Sequence, residues 1–135
     1  MIQRIQTVWI LLAAVLVFLT LNFPFYIGQL PDLTMHEVKP ADNVMMQICV
    51  FGLTILLLVI IFLFKNRIIQ FRLCMFAIFI ECINIFLNIH EGNKLLNGNF
   101  TIWSGLHILI MLFIILGSIG IYKDEKLVKE SNRLR

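Results

Sequence analysis

Four apolar blocks of about twenty residues each dominate the chain and restrict it to a membrane environment. They cover residues 7–26, 44–64, 73–89 and 102–122. A helix rises about 1.5 Å per residue, so about twenty apolar residues cross the hydrocarbon core of a bilayer, which is about 30 Å thick. We therefore predict one integral membrane domain over residues 1–135, an all-α antiparallel bundle of four transmembrane helices.

The composition supports this prediction, since 60% of the 135 residues are hydrophobic and only 14% are charged. One water-soluble core of this size could not hide so much apolar surface. The opening residues Met1–Arg4 look like the positive start of a secretory signal. However, the apolar run after them is too long, and residues 21–25 offer no cleavage site with small side chains. We expect the first block to remain as a span.

The positive charges are distributed unevenly between the two sides of the predicted bundle. If the four spans alternate in direction, nine of the 11 cations share one side, and only Lys39 and Lys94 lie on the other. The nine are Arg4, Lys65, Arg67, Arg72, Lys123, Lys126, Lys129, Arg133 and Arg135. Membrane proteins keep such an excess in the cytoplasm, so both termini and the central basic turn (Lys65, Arg67 and Arg72) are predicted to be cytoplasmic. Contact with anionic lipid headgroups explains these cations, and no nucleic-acid binding is predicted.

The third block carries a regular series of small and polar side chains. Cys74, Ala77, Glu81, Asn84 and Asn88 follow one another in steps of three and four residues, which places them on one face of a helix. Nearly all other side chains of the block are bulky and apolar. A polar row facing lipid would lack hydrogen-bond partners, so this face is predicted to point into the bundle.

Glu81 lies near the middle of the third span, where a lone ionised carboxylate is costly, so this acid must be either protonated or paired. Asn84 and His107 lie at similar depths, each a few residues inside the outer end of its span. We therefore predict an intramembrane polar cluster of Glu81, Asn84, Asn88 and His107 between spans three and four. Three roles stay open for the cluster: interhelical hydrogen bonding, a proton or ion relay, or a substrate site.

Little sequence remains outside the spans. Residues 27–43 and 90–101 are predicted to be outer loops, the first with at most one helical turn, and residues 123–135 a short cytoplasmic helix. No nucleophile, zinc-protease or phosphate-binding motif is present, so no enzyme activity and no cofactor are predicted. His36–Glu37 and His90–Glu91 lack metal-ligand spacing, and no metal site is predicted.

Three stretches together resemble a known protein family. They are Met1–Thr7, then Phe62–Arg67 with Gln70, Arg72, Leu73 and Cys74, and finally Lys123–Val128 with Arg133–Arg135. Their order and end-to-end extent resemble a family of small four-span bacterial inner-membrane proteins of unknown function. The resemblance implies an inner-membrane location and a four-span fold, and it implies no activity.

Two functions fit these patterns. All three stretches lie on the predicted cytoplasmic side, which favours a non-enzymatic accessory or scaffold protein that docks a protein partner there through the basic turn and the tail. The alternative is a small proton-coupled transporter with Glu81 as the intramembrane acid. Such a transporter would act as a homodimer, because four helices enclose little pathway.

Overall fold

A computed structural model describes residues 3–133, with side chains over residues 5–131. Four long helices account for most of these residues: α1 (Gln3–Leu19), α2 (Val44–Phe62), α3 (Arg67–Gly92) and α4 (Gly105–Arg133). Met1, Ile2, Leu134 and Arg135, which belong to the opening and closing stretches of the resemblance, lie outside the described residues, as do the side chains of Arg4 and Arg133.

The helices pack as a ring in which α4 closes on α1. The start of α1 packs on the second half of α4, where a Cβ on Gly120 would lie 2.5 Å from Gln6 Cγ. At the same end, Gln70 of α3 donates a hydrogen bond from Nε2 to the carbonyl of Ile60 in α2, at 3.0 Å. Neighbouring helices are therefore antiparallel. We call this end of the bundle, where residues 63–66 join α2 to α3, the turn end.

The outer surface of the bundle is apolar, and its mostly apolar core also encloses polar side chains. Ile48, Phe79 and Ile108 are each more than 60% exposed, whereas Glu81 and Asn84 are completely buried. An exposed apolar surface that surrounds the helices in this way is typical of contact with lipid tails rather than water.

Three helices are long and apolar enough to cross a membrane: Val44–Phe62, Arg67–Gly92 and the segment Ile102–Ser131. The apolar part of α1, Ile5–Leu19, is shorter. The predicted first span extended to residue 26, but α1 ends at Leu19. Here the Thr20 hydroxyl donates to the Val17 carbonyl at 2.6 Å, and Pro24 follows, which cannot continue a helix.

The opposite end of the bundle carries a small antiparallel sheet, so we call it the sheet end. Its strands are β1 (Tyr26–Gln29), β2 (Met35–Val38) and β3 (Leu96–Phe100), in the order β2-β1-β3. In the register of the sheet, Tyr26 pairs with both Val38 and Phe100. The prediction of an all-α fold omitted this sheet. Two segments predicted to be separate outer loops are instead hydrogen-bonded to each other.

Two helices also differ from their predicted bounds. α3 begins at Arg67 and ends at Gly92, so it includes part of the predicted basic turn and extends beyond the predicted span 73–89. α4 continues without a break through Tyr122 to Arg133. The predicted short C-terminal helix is therefore the continuation of the fourth span and not a separate element.

Candidate functional site

The polar face of α3 lies inside the bundle. Cys74, Ala77, Glu81, Asn84 and Asn88 are all completely buried. The neighbouring residues on the other faces of the helix are bulky and apolar, and they pack on the other helices or point outwards. Helical periodicity on α3 therefore places Glu81, Asn84 and Asn88 inside the bundle.

The centre of the site is a contact between α3 and α4. His107 Nδ1 lies 2.7 Å from Glu81 Oε1, and both side chains are almost completely buried. α3 and α4 are antiparallel neighbours, so an acid in the second half of α3 faces a histidine near the start of α4. A carboxylate and an imidazole at this distance share one proton in a hydrogen bond, as an ion pair or as a neutral pair.

The two amides extend the site towards the sheet end. Asn84 Nδ2 donates to Glu81 Oε2 at 3.4 Å, so both carboxylate oxygens have a partner. Asn88 Nδ2 in turn donates to the Asn84 backbone carbonyl at 2.9 Å and to its side-chain oxygen at 3.3 Å. The four residues of the predicted cluster therefore form a connected series, which ends at an Asn88 Oδ1 without a partner among the described residues.

Phe25, just before β1, covers His107 at the sheet end. Its ring meets the imidazole edge to face, with 5.2 Å between ring centres, and only 4% of Phe25 is exposed. The backbone N–H of Phe25 donates to the Val38 carbonyl at 2.9 Å, so the sheet holds this ring in place. The polar cluster is therefore separated from the sheet-end surface by an aromatic side chain.

This arrangement can hold a proton between two titratable groups, and it can link α3 to α4 by hydrogen bonds. None of the four cluster residues lines the main cavities of the protein, which lie at the two ends of the bundle and in a groove between α1 and α2. Among residues 3–133, no three His, Cys, Asp or Glu side chains lie close enough together to hold a metal ion.

Both cations at the sheet end are paired with carboxylates. Lys39 Nζ lies 2.7 Å from Glu37, and Lys94 Nζ lies 2.7 Å from Glu91. The hydrogen bond to Glu37, and then the charge of that carboxylate, raise the pKa of Lys39 above its ordinary value of 10.5. The sheet end therefore presents little unpaired positive charge, in contrast to the turn end.

The three cations of the predicted basic turn do not form one cluster. Lys65 is exposed in the turn, and Arg72 is exposed on α3 one and a half turns further along. Arg67 is half-buried, and its Nη1 donates to the backbone carbonyl of Asp124 in α4 at 2.9 Å. Arg67 therefore links two helices, while Lys65 and Arg72 point away from the bundle.

A second polar cluster at the turn end was not predicted. Gln6, Gln70 and Asp124, from three different helices, are each more than 90% buried. They line a cavity of about 30 Å³ together with Thr7, Phe64 and Arg67. Gln6 Nε2 and Asp124 Oδ2 have no partner among the described residues, and the cavity has room for one water molecule.

Periodicity could have identified two members of this turn-end cluster. Gln70 precedes Cys74 by four residues, so it continues the inward face of α3. Asp124 follows Gly120 by four residues and Gly117 by seven, so it shares the face of α4 that packs on α1. The cations of these segments were instead predicted to contact anionic lipid headgroups.

The three stretches that carry the family resemblance meet at this turn-end cluster. Gln6 and Thr7 come from the opening stretch, Phe64, Arg67 and Gln70 from the central one, and Asp124 from the closing one. A protein-family model, a domain of unknown function named DUF4293, matches residues 2–134. The chain belongs to the DUF4293 family.

The match confirms the predicted membership of a family of unknown function, since it covers nearly the whole chain. No curated protein and no solved structure matches the chain. What the DUF4293 stretches do in this protein therefore has to be argued from the contacts that their residues make.

Proposed function

We propose that this DUF4293 protein is a non-enzymatic scaffold of the bacterial inner membrane that docks a protein partner at its cytoplasmic face. In this proposal all four helices cross the membrane, and the turn end is cytoplasmic. The excess of cations at the turn end supports this orientation. α1 is short, but residues 20–25 follow it towards the sheet end and lengthen the first crossing.

The observation that carries the proposal is the length of α4. Its 29 residues rise about 43 Å, whereas the hydrocarbon core of a bilayer is about 30 Å thick. Tyr122 is exposed at the position of an interfacial anchor, and the helix continues to Arg133. Its last turns therefore project into the cytoplasm as a rigid extension of the bundle.

The projecting part of α4 has an apolar side chain on its outer surface. Leu127 is 55% exposed, and it lies between charged residues that keep the helix soluble, including Lys126 and Glu130. An exposed leucine on a rigid amphipathic helix is a typical anchor for a partner helix or groove. We therefore assign docking to the Leu127 face of α4.

A photo-crosslinking amino acid in place of Glu130, one helical turn from Leu127, tests this assignment in living cells. We expect a discrete protein adduct that Leu127→Glu abolishes, while the proteins with and without Leu127→Glu are present at equal levels in the membrane. A crosslinker in place of the lipid-facing Phe79 is the control and should not give that adduct. If Glu130 gives no adduct, or the same adduct persists with Leu127→Glu, the proposed docking face is wrong.

A second candidate function is a small proton-coupled transporter that acts as a homodimer. The specific observation in its favour is the pair of buried titratable groups, Glu81 and His107, with 2.7 Å between Oε1 and Nδ1. In this alternative Glu81 would bind and release the transported proton. The main cavities of the bundle do not reach Glu81, which favours the scaffold.

A further inference from the structure

A groove with a volume of about 730 Å³ lies at the turn end. It lies between the α2–α3 turn with the start of α3 on one side and the projecting part of α4 on the other. Its walls come from residues 64–69 and, on α4, from Glu125, Val128 and Lys129. This turn-end groove is distinct from the Leu127 face and from the Glu81–His107 cluster.

The groove combines apolar walls with an excess of positive charge. Its apolar side chains Phe64, Ile68, Ile69 and Val128 are each between 45% and 66% exposed. Its three cations are Lys65, Arg67 and Lys129, and Glu125 is its one carboxylate. Glu125 Oε1 lies 2.6 Å from Lys129 Nζ, so these two charges offset each other and those of Lys65 and Arg67 remain.

The depth of the groove matches the headgroup layer of a membrane. Its residues on α4 follow Tyr122 by three to seven positions, which corresponds to about 4–10 Å along the helix. The headgroup layer on each side of a bilayer is about 5–8 Å thick. The apolar wall also continues into the outer surface of α2, where Phe62 is 77% exposed. This step depends on the proposed orientation, with Tyr122 at the interface.

We propose that the turn-end groove is a binding site for one anionic phospholipid. The phosphate lies against Lys65 and Arg67, and an acyl chain lies along Phe64, Ile68 and Ile69. Arg67 uses Nη1 for the Asp124 carbonyl, and its guanidinium has further N–H donors for a phosphate oxygen. A basic pocket between helices on the cytoplasmic side is the usual place for such a headgroup.

The groove favours a lipid over a protein segment for two reasons. Its charge is complementary to a phosphate, and its apolar walls open onto the surface that faces the acyl chains. A phospholipid places both parts, the charged headgroup and the apolar chain, at this depth. In this position the lipid fills the space beside the α2–α3 turn and supports the projecting part of α4.

The test is native mass spectrometry of the full-length protein, purified in mild detergent and mixed with phosphatidylglycerol or with phosphatidylcholine of the same chain lengths. We expect one phosphatidylglycerol to be retained on the wild type and phosphatidylcholine to be retained much less. Lys65→Gln should lower phosphatidylglycerol retention about fivefold, and Arg67→Gln by a similar factor. Lys65 is exposed, so its variant keeps the fold even if Arg67→Gln unfolds.

Lys126→Gln is the matched control, because it removes the same charge from the same end of the protein outside the groove. It should leave retention unchanged. Equal retention of both lipids, or equal losses with Lys65→Gln and Lys126→Gln, would overturn the lipid site. So would a protein segment that occupies the groove in the purified complex. The Glu130 crosslink reports the Leu127 face separately, so a failure of the scaffold proposal can be told apart from a failure of the lipid site.

Discussion

At the scale of single residues, the stability of the bundle depends on buried polar side chains, which have few possible hydrogen-bond partners. Glu81 is completely buried, and its partners among the described residues are His107 on α4 and Asn84 on its own helix. Hydrogen bonds between transmembrane helices contribute about 0.6–2 kcal/mol each. The contact between Glu81 and His107 therefore stabilises the α3–α4 pair in either proposed function.

Two substitutions of Glu81 separate hydrogen bonding from charge. Glu81→Gln keeps an oxygen and an amide near His107 and Asn84, so we expect a loss of unfolding free energy of about 1 kcal/mol or less. Glu81→Ala leaves both partners unsatisfied and should cost about 1–3 kcal/mol. Denaturation with sodium dodecyl sulfate in mixed micelles measures both, and Cys82→Ala, at the exposed neighbouring position, is the control.

The same Glu81→Gln variant decides between the two functions. In proteoliposomes with a pH gradient, the scaffold predicts equal proton flux for the variant, the wild type and empty vesicles. The transporter instead predicts proton flux with the wild type, and Glu81→Gln abolishes this flux although the variant is folded.

In the denaturation experiment, equal losses of unfolding free energy for Glu81→Gln and Glu81→Ala would show that the charge of Glu81 itself holds α3 and α4 together.

At the scale of helices and strands, the close approach of α1 to α4 depends on a glycine. A Cβ on Gly117 would lie only 2.8 Å from Ile10 Cγ1, closer than carbon atoms can pack. A Cβ on Gly52, in the middle of α2, would meet nothing within 4 Å. These two glycines have the same helical setting and opposite surroundings, so they form a matched pair.

We therefore expect Gly117→Ala to destabilise the bundle and Gly52→Ala not to. Alanine at 117 forces α1 and α4 apart, which should cost about 1–3 kcal/mol of unfolding free energy. Alanine at 52 should be neutral or slightly stabilising, because alanine favours a helix more than glycine does. Detergent-titration midpoints measure both variants. Equal midpoints for the two would contradict the tight α1–α4 contact.

At the scale of the whole molecule, the orientation in the membrane connects every proposal. Alkaline phosphatase is active only outside the cytoplasm, so it reports on which side a fusion point lies. We expect an inactive fusion after Arg135 and an active one after Asp32, because in the proposal α1 crosses the membrane and the C-terminus is cytoplasmic. An insertion at Asn97, exposed in β3 at the sheet end, should also be active. An active fusion after Arg135 would contradict the proposed orientation, and an inactive fusion after Asp32 would contradict the proposed crossing by α1.

The sequence by itself determined the helices and their faces, because both follow from local periodicity. Apolar blocks of membrane length predicted where α2, α3 and α4 lie, steps of three and four residues placed Glu81 on an inward face, and depth in the span placed His107 near it. These features depend on residues close together in the chain, and a single helix already contains them. The family resemblance likewise depended on short local stretches.

Only the tertiary structure decided which distant segments meet. The pairing of β1 with β3 joins Tyr26 to Phe100, and these strands of four and five residues are too short to predict a partner so far along the chain. The turn-end cluster likewise brings Gln6, Gln70 and Asp124 together from three helices. The physical reason is the same in both cases: these contacts exist only after the helices have packed, so no window of the sequence contains them.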